Sequence, residues 1–198
     1  MIHPDTTVRT VSHQLGNGVF ATRDIPCGTV VVVRDEYDLC LPYGDFQKLP
    51  EMVRQKMETH VYHDKDGMLV LSWDHARFMN HSCSCNTMMT DYRLEIAVRD
   101  IYAGEQITTE YGLLNVQEPY DIHCGCDGCR KRLKPDDIDN YGKVWDEMIK
   151  AALLTIPDVP QPLWDMVTPD IKNRLEALRL DTDQYSSVQN LKWRMDSI

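Results

Sequence analysis

Three cysteines fall within six residues, Cys124-Gly-Cys126-Asp-Gly-Cys129. Thiolates on a short glycine-containing loop suit tetrahedral zinc, which takes four ligands. A site closed by four protein ligands is structural, because no position stays open for catalysis. Upstream, the run Arg77-Phe78-Met79-Asn80-His81-Ser82-Cys83-Ser84-Cys85-Asn86 gathers one histidine, two thiols and two asparagines. His81 taken alone reads as a buried, hydrogen-bonded imidazole. Gly16-Asn17-Gly18 lets a backbone come close to a bulky ligand. It lacks the third glycine and the helix of a dinucleotide fingerprint, since Val19-Phe20-Ala21 continues as a strand, and a hairpin turn is the plainer reading. Each segment is ambiguous singly.

The elements that must hold these segments are short. Residues 8 to 33 alternate apolar stretches with Gly and Pro, which predicts strands joined by tight turns. Phe46, Leu49, Met52, Val53 and Met57 recur at helical spacing, so a helix over 45–59, broken near Pro50, is expected. Strand-like runs return at Met68–Ser72, Thr87–Thr90, Leu94–Val98 and Gln106–Glu110. From about Pro135 the texture turns helical. Val144, Trp145, Met148, Ile149, Ala152 and Leu153 mark an amphipathic helix of about four turns. Thr168-Pro169 reads as an N-cap followed by proline at the first helical position, opening a helix through Leu180. A short helix around Ser187–Met195 is also expected. The tail carries no site chemistry and reads as packing that completes a small core, or else as a lid. Cys27 and Cys40 read as core residues.

Composition excludes several classes. The chain has 198 residues, 42 % hydrophobic and 26 % charged, which suits a soluble domain plus an appendage. The longest apolar run, Val30–Val33, is far short of the ~20 residues of a membrane span. Residues 1 to 30 carry no apolar core of a signal peptide. Seven cysteines, an odd number, three of them crowded together, point to reduced intracellular thiols and a metal site. A net charge of −10 argues against direct nucleic-acid binding and suits steering of a cationic, Lys-rich partner. The one basic run, Arg130-Lys131-Arg132-Leu133-Lys134, reads as a solvated segment closing the cysteine loop.

In their order and spacing, Gly16-Asn17-Gly18, Arg77–Asn86, Gly104–Gly112 and the cysteine loop resemble the SET-domain protein-lysine methyltransferases with a post-SET cysteine segment, over roughly residues 8 to 133. The resemblance implies a mainly β SET-type fold of short strands with a pseudoknot, followed by a helical C-terminal extension. It divides the chain into a SET core at 1–111, a post-SET zinc segment at 112–134 and the extension at 135–198. It implies that Gly16, Asn17, Gly18, Arg77, Phe78, Asn80 and His81 hold S-adenosylmethionine. Tyr111 is the implied catalytic residue, while Glu105 and Glu110 suit turn and structural hydrogen bonding. Cys83 is the implied fourth zinc ligand beside Cys124, Cys126 and Cys129, with Cys85 and His123 competing for that place. Cys85 departs from the family, which usually carries proline before the asparagine.

The implied reaction moves a methyl group from a sulfonium to a lysine ε-amine of a protein, with a histone tail as the family default. Location is then intracellular, and nuclear if the source is eukaryotic. A zinc-organised module that holds a peptide without turnover is the alternative. Tyr37, Tyr43, Tyr62, Tyr92 and Tyr120 are candidates for lining the lysine channel. Thr109, two residues before Tyr111, stands where the family usually carries Phe or Tyr. Its smaller volume leaves room for at least two methyl groups.

Overall fold

The structure, a computed structural model, describes residues 1–193. In chain order come β1 (Thr6–Ser12), β2 (Gly16–Ala21), β3 (Val30–Val33) and β4 (Leu39–Leu41), then the short helices α1 (Tyr43–Gln47) and α2 (Glu51–Met57). Next are β5 (Tyr62–His63), β6 (Leu69–Leu71), β7 (Asn80–His81), β8 (Thr87–Met89), β9 (Leu94–Ala97) and β10 (Gln106–Thr109). A two-strand pair, β11 (Tyr120–Asp121) and β12 (Arg132–Leu133), encloses the cysteine loop, and α3 (Asp137–Leu154) and α4 (Pro169–Leu180) follow.

The strands form small sheets in a mainly β frame. One runs β1-β2-β10-β7, antiparallel except for the parallel pair β10/β7; a second runs β3-β9-β8, and a third β4-β6-β5. Gly16 ends the β1–β2 hairpin at φ +70°, a left-handed conformation that glycine adopts without a Cβ penalty. Pro50 separates α1 from α2 as expected, its extended backbone standing just before the second helix. Thr168 caps α4 by accepting a hydrogen bond from the Ile171 N–H, with Pro169 at the first helical position.

Two apolar clusters share the β3-β9-β8 sheet. On one face Val30, Val33, Leu94 and Ile96 pack against Trp145, Ile149, Leu153 and Leu175. On the other, Val31 and Ala97 meet Val19, Ile25, Ile101 and Ile107. A strand buried on both faces reads as an unbroken apolar run, which is the pattern of Val30–Val33.

The tail therefore packs as core. Its first helix is longer than the periodicity indicates, because Asp137 and Asp139 occupy a first turn where the helix dipole favours acids and no apolar stripe is needed. Beyond α4, a 3-10 turn covers Val188–Leu191, and the rest of the helix expected through Met195 lies in part outside the described residues. Cys27 packs against the first cluster, but Cys40 is exposed. It sits on β4, an edge strand with its side chain away from both clusters.

Candidate active site

Parallel pairing of β7 with β10 sets Asn80 opposite Thr108 and His81 opposite Thr109. Asn86 then laces the two segments together. Its side chain donates to Gln106 O at 2.9 Å and accepts from the Thr108 N–H at 2.8 Å, with no solvent exposure. Tyr111 follows directly. Its hydroxyl donates to Met79 O at 2.8 Å, and its N–H donates to His81 Nδ1 at 3.2 Å. Burial raises the Tyr111 pKa, so the hydroxyl stays protonated and remains a donor.

His81 is neutral. Burial, reinforced by the Arg130 charge, pulls it down to about 4, so its 3.7 Å approach to Glu110 is not an ion pair. With Nδ1 accepting from Tyr111, the ring proton belongs on Nε2, which faces Cys83 Sγ at 3.3 Å.

The hairpin lies against this segment. Asn80 Nδ2 donates to Asn17 O at 3.0 Å and to Gln106 Oε1 at 2.9 Å. A Cβ at Gly18 would come within 2.4 Å of Gln106 Oε1 and 2.9 Å of Asn80 Nδ2, so that glycine admits the neighbouring side chains. Gly16 differs. Nothing lies within 4 Å of where its Cβ would stand, so its exposed backbone admits close approach by a ligand. The Arg77 guanidinium is committed to Trp73 O at 2.8 Å and lies over the Phe78 ring at 4.9 Å.

Tyr111 and Thr109 open onto a cavity of about 610 Å³ that is also lined by Tyr62, Met79, Glu95 and Tyr120. Of the five tyrosines considered for a channel, Tyr62 and Tyr120 line this cavity. Tyr37 and Tyr43 are exposed elsewhere, and Tyr92 is wholly buried in the first apolar cluster. Glu95 escaped the sequence reading. Its signal is a single acid inside the otherwise apolar run Leu94–Val98, and it accepts a hydrogen bond from the Thr109 hydroxyl.

Beside Tyr111, the Sγ atoms of Cys83, Cys124, Cys126 and Cys129 all lie within 4.8 Å of one another. They are the one such metal-competent group among the described residues. Cys85 is buried and His123 exposed, and neither joins the group. Burial pushes Cys83 up to about 12, while the Lys131 N–H and the Cys124 thiol bring Cys129 down to about 7. Four adjacent thiols ionise together only around a cation, and sulfur ligands at this spacing fit a tetrahedral ion.

Arg130 connects the cysteine loop to the tyrosine. Its N–H donates to Cys83 Sγ at 3.4 Å, and its guanidinium donates to Glu110 Oε1 at 2.6 Å. Glu110 in turn accepts from the Gly112 N–H at 2.8 Å, the structural hydrogen bonding expected of it. Burial holds Glu110 above the usual carboxylate range even with Arg130 beside it. Arg130 also faces Asp137 and stacks over Tyr141 and Trp145, which anchors the loop to α3.

A laced pair of strands ending in a tyrosine, beside a cysteine cluster and a glycine hairpin, defines a SET-type site. The SET domain family model matches residues 16–112, so this segment is similar to SET domains. It is 35 % identical over 65 residues to histone-lysine N-methyltransferase ASHH3 of Arabidopsis thaliana, covering 29 % of this chain and 18 % of that protein. It is 30 % identical over 122 residues to histone-lysine N-methyltransferase set9 of Emericella nidulans, covering 57 % and 17 %. It is 29 % identical over 134 residues to histone-lysine N-methyltransferase trithorax of Drosophila melanogaster, covering 62 % and 4 %. The chain spans less than half the length of these curated relatives.

Proposed function

We propose that this chain transfers methyl groups from S-adenosylmethionine to a lysine ε-amine in a protein, with a histone tail as the first substrate to try. The single observation that carries the reading is the Tyr111 hydroxyl, donating to Met79 O and opening onto the 610 Å³ cavity. When bound, S-adenosylmethionine supplies an electrophilic methyl on a sulfonium. Gly16, Asn17, Gly18, Arg77, Phe78, Asn80 and His81 would hold it, largely through backbone groups, since the Arg77 and Asn80 side chains are already engaged.

The lysine must lose a proton before it reacts. With a free-lysine pKa near 10.4, that costs roughly 4–5 kcal/mol at pH 7. Enclosure beside Tyr62 and Tyr120 lowers the cost of that deprotonation, and the Tyr111 hydroxyl orients the amine, so these three residues act by positioning and electrostatics. Zinc held by Cys83, Cys124, Cys126 and Cys129 is structural in this reading, bracing residues 112–134 against the SET core at 1–111. The extension at 135–198 packs behind both. The enzyme works inside the cell, in the nucleus if the source is eukaryotic. No helix among the described residues is long and apolar enough to cross a membrane.

The test is transfer of labelled methyl from S-adenosylmethionine to arrayed lysine peptides and a mixed pool of basic proteins. Label on lysine side chains is the expected result, and its absence from every substrate would remove the reading.

A further inference from the structure

Glu95 is a buried carboxylate in the central strand of a sheet. It stands on β9 between Val32 of β3 and Met89 of β8, and its side chain lines the same cavity as Tyr111 and Thr109. Among the described residues its one hydrogen bond is accepted from the Thr109 hydroxyl, and no Lys or Arg pairs with it. Arg34, on the same cavity wall, is taken by Asp64 at 2.8 Å. Apolar side chains are the usual occupants of such a position, because an uncompensated buried charge is costly. Of the other cations lining the cavity, Lys65 and Arg174 pair with Asp91, Arg77 donates to Trp73 O, and Arg93 is exposed. A carboxylate held there without a paired cation suits a ligand that brings its own positive charge.

We propose that Glu95 takes the proton from the ε-ammonium of the substrate lysine inside this cavity, so that the lysine enters charged and is deprotonated on the enzyme. The inference rests on the methyltransferase reading. An N–H bond of the ammonium breaks, its electron pair stays on nitrogen, and the proton makes Glu95 a carboxylic acid. The nitrogen pair then forms the N–C bond to the methyl as the C–S bond of the sulfonium donor breaks, leaving its pair on sulfur. Glu95 afterwards returns the proton to water.

The surroundings agree with this role. Burial pushes the Glu95 carboxyl up to about 7, with the Thr109 hydrogen bond drawing it back, and a base is most useful when its pKa lies near the working pH. The titratable groups that feel its charge are Tyr111, Tyr62 and Cys85, all neutral at that pH because burial raises each of them. The flanking strands present Val32 and Met89 beside it, while α3 packs on the opposite face of the sheet with Leu94 and Ile96.

The test is the pH profile of kcat/KM from pH 6 to 10 for the wild type, Glu95→Gln and Thr109→Val, with thermal unfolding confirming that each is folded. With Glu95 as base, the wild-type profile rises to about pH 7 and is then flat up to the lysine pKa. Glu95→Gln must bind the rare neutral amine, so its profile climbs about tenfold per pH unit toward 10.4. At pH 8 it lies on the order of 100-fold below the wild type. Thr109→Val removes the donor and moves the wild-type break to higher pH, and it carries the test alone if the Gln variant fails to fold. A Glu95→Gln profile that superimposes on the wild type overturns the inference and leaves the methyltransferase reading standing. So does an unmoved break in Thr109→Val. No methyl transfer by the wild type on any lysine substrate overturns both.

Discussion

At the scale of single residues, Tyr111 does two things at once. Its hydroxyl reaches Met79 O while its backbone is held by His81. Tyr111→Phe therefore keeps the backbone anchor, and we expect it to bind S-adenosylmethionine normally and lose most turnover; calorimetry beside a transfer assay separates the two. Thr109 is 4 % exposed and its hydroxyl proton is committed to Glu95, which leaves only its lone pairs for a water beside the amine. Volume then decides, and mass spectrometry should find at least dimethyl-lysine from the wild type, shifted toward monomethyl-lysine in Thr109→Tyr. Glu95 also bears on stability. Its folded pKa, raised to about 7, exceeds the value in the unfolded chain, so the native state holds the extra proton between about pH 4.5 and 7. Its contribution is thus fully present at low pH and is lost as pH rises through about 7. Glu95→Gln should unfold later than the wild type at pH 8, by on the order of 1–3 kcal/mol in urea titration, with the gap closing toward pH 4. Equal stability at both pH values would contradict a raised carboxyl.

At the scale of elements, the cysteine loop and the tyrosine segment are coupled through short links. Arg130 bonds Cys83 with its backbone and Glu110 with its side chain, and Glu110 holds the Gly112 N–H. Loosening the loop should therefore reach Tyr111. We expect Cys124→Ser to lose zinc by metal analysis, to become sensitive to proteases within residues 120–133, and to lose most transfer activity. Full zinc content in that variant would falsify the ligand set. The same coupling accounts for how little of this was legible in the chain. The three-cysteine loop announces a metal by spacing alone, whereas the choice among Cys83, Cys85 and His123 depends on which donor the fold brings near. Cys85 lies two residues from Cys83, yet its side chain points into the apolar cluster.

At the scale of the molecule, the extension is half of a core. Trp145, Ile149, Leu153 and Leu175 cover the sheet face carrying Val30, Val33, Leu94 and Ile96. Each large side chain stripped from such a contact forfeits about 1.5–3 kcal/mol, and a domain is stable by only about 5–15 kcal/mol. A chain ending at residue 134 should accordingly fail to fold cooperatively, binding a hydrophobic dye and aggregating. A sharp thermal transition in that fragment would show that the SET part stands alone. Gly112 adds a tighter link, since a Cβ there would come within 2.7 Å of the Trp145 ring.

Local pattern was enough to determine the linear order of motifs, the strands at 87–90, 94–98 and 106–110, the break at Pro50 and the helical tail, because hydrophobic period and turn chemistry act over a few residues. The resemblance carried by those motifs then pointed to Tyr111 and to the cysteine loop. Only the tertiary structure decided which tyrosines line the cavity, that Cys83, already implied by the resemblance, meets the loop thiols while Cys85 and His123 stand apart, and that Glu95 faces Thr109 and Tyr111. The physical reason is common to all three. A ligand set, a cavity wall and a shifted pKa are each made by neighbours distant along the chain, and the energy of a charge or a thiolate is a property of its surroundings and not of its place in the sequence.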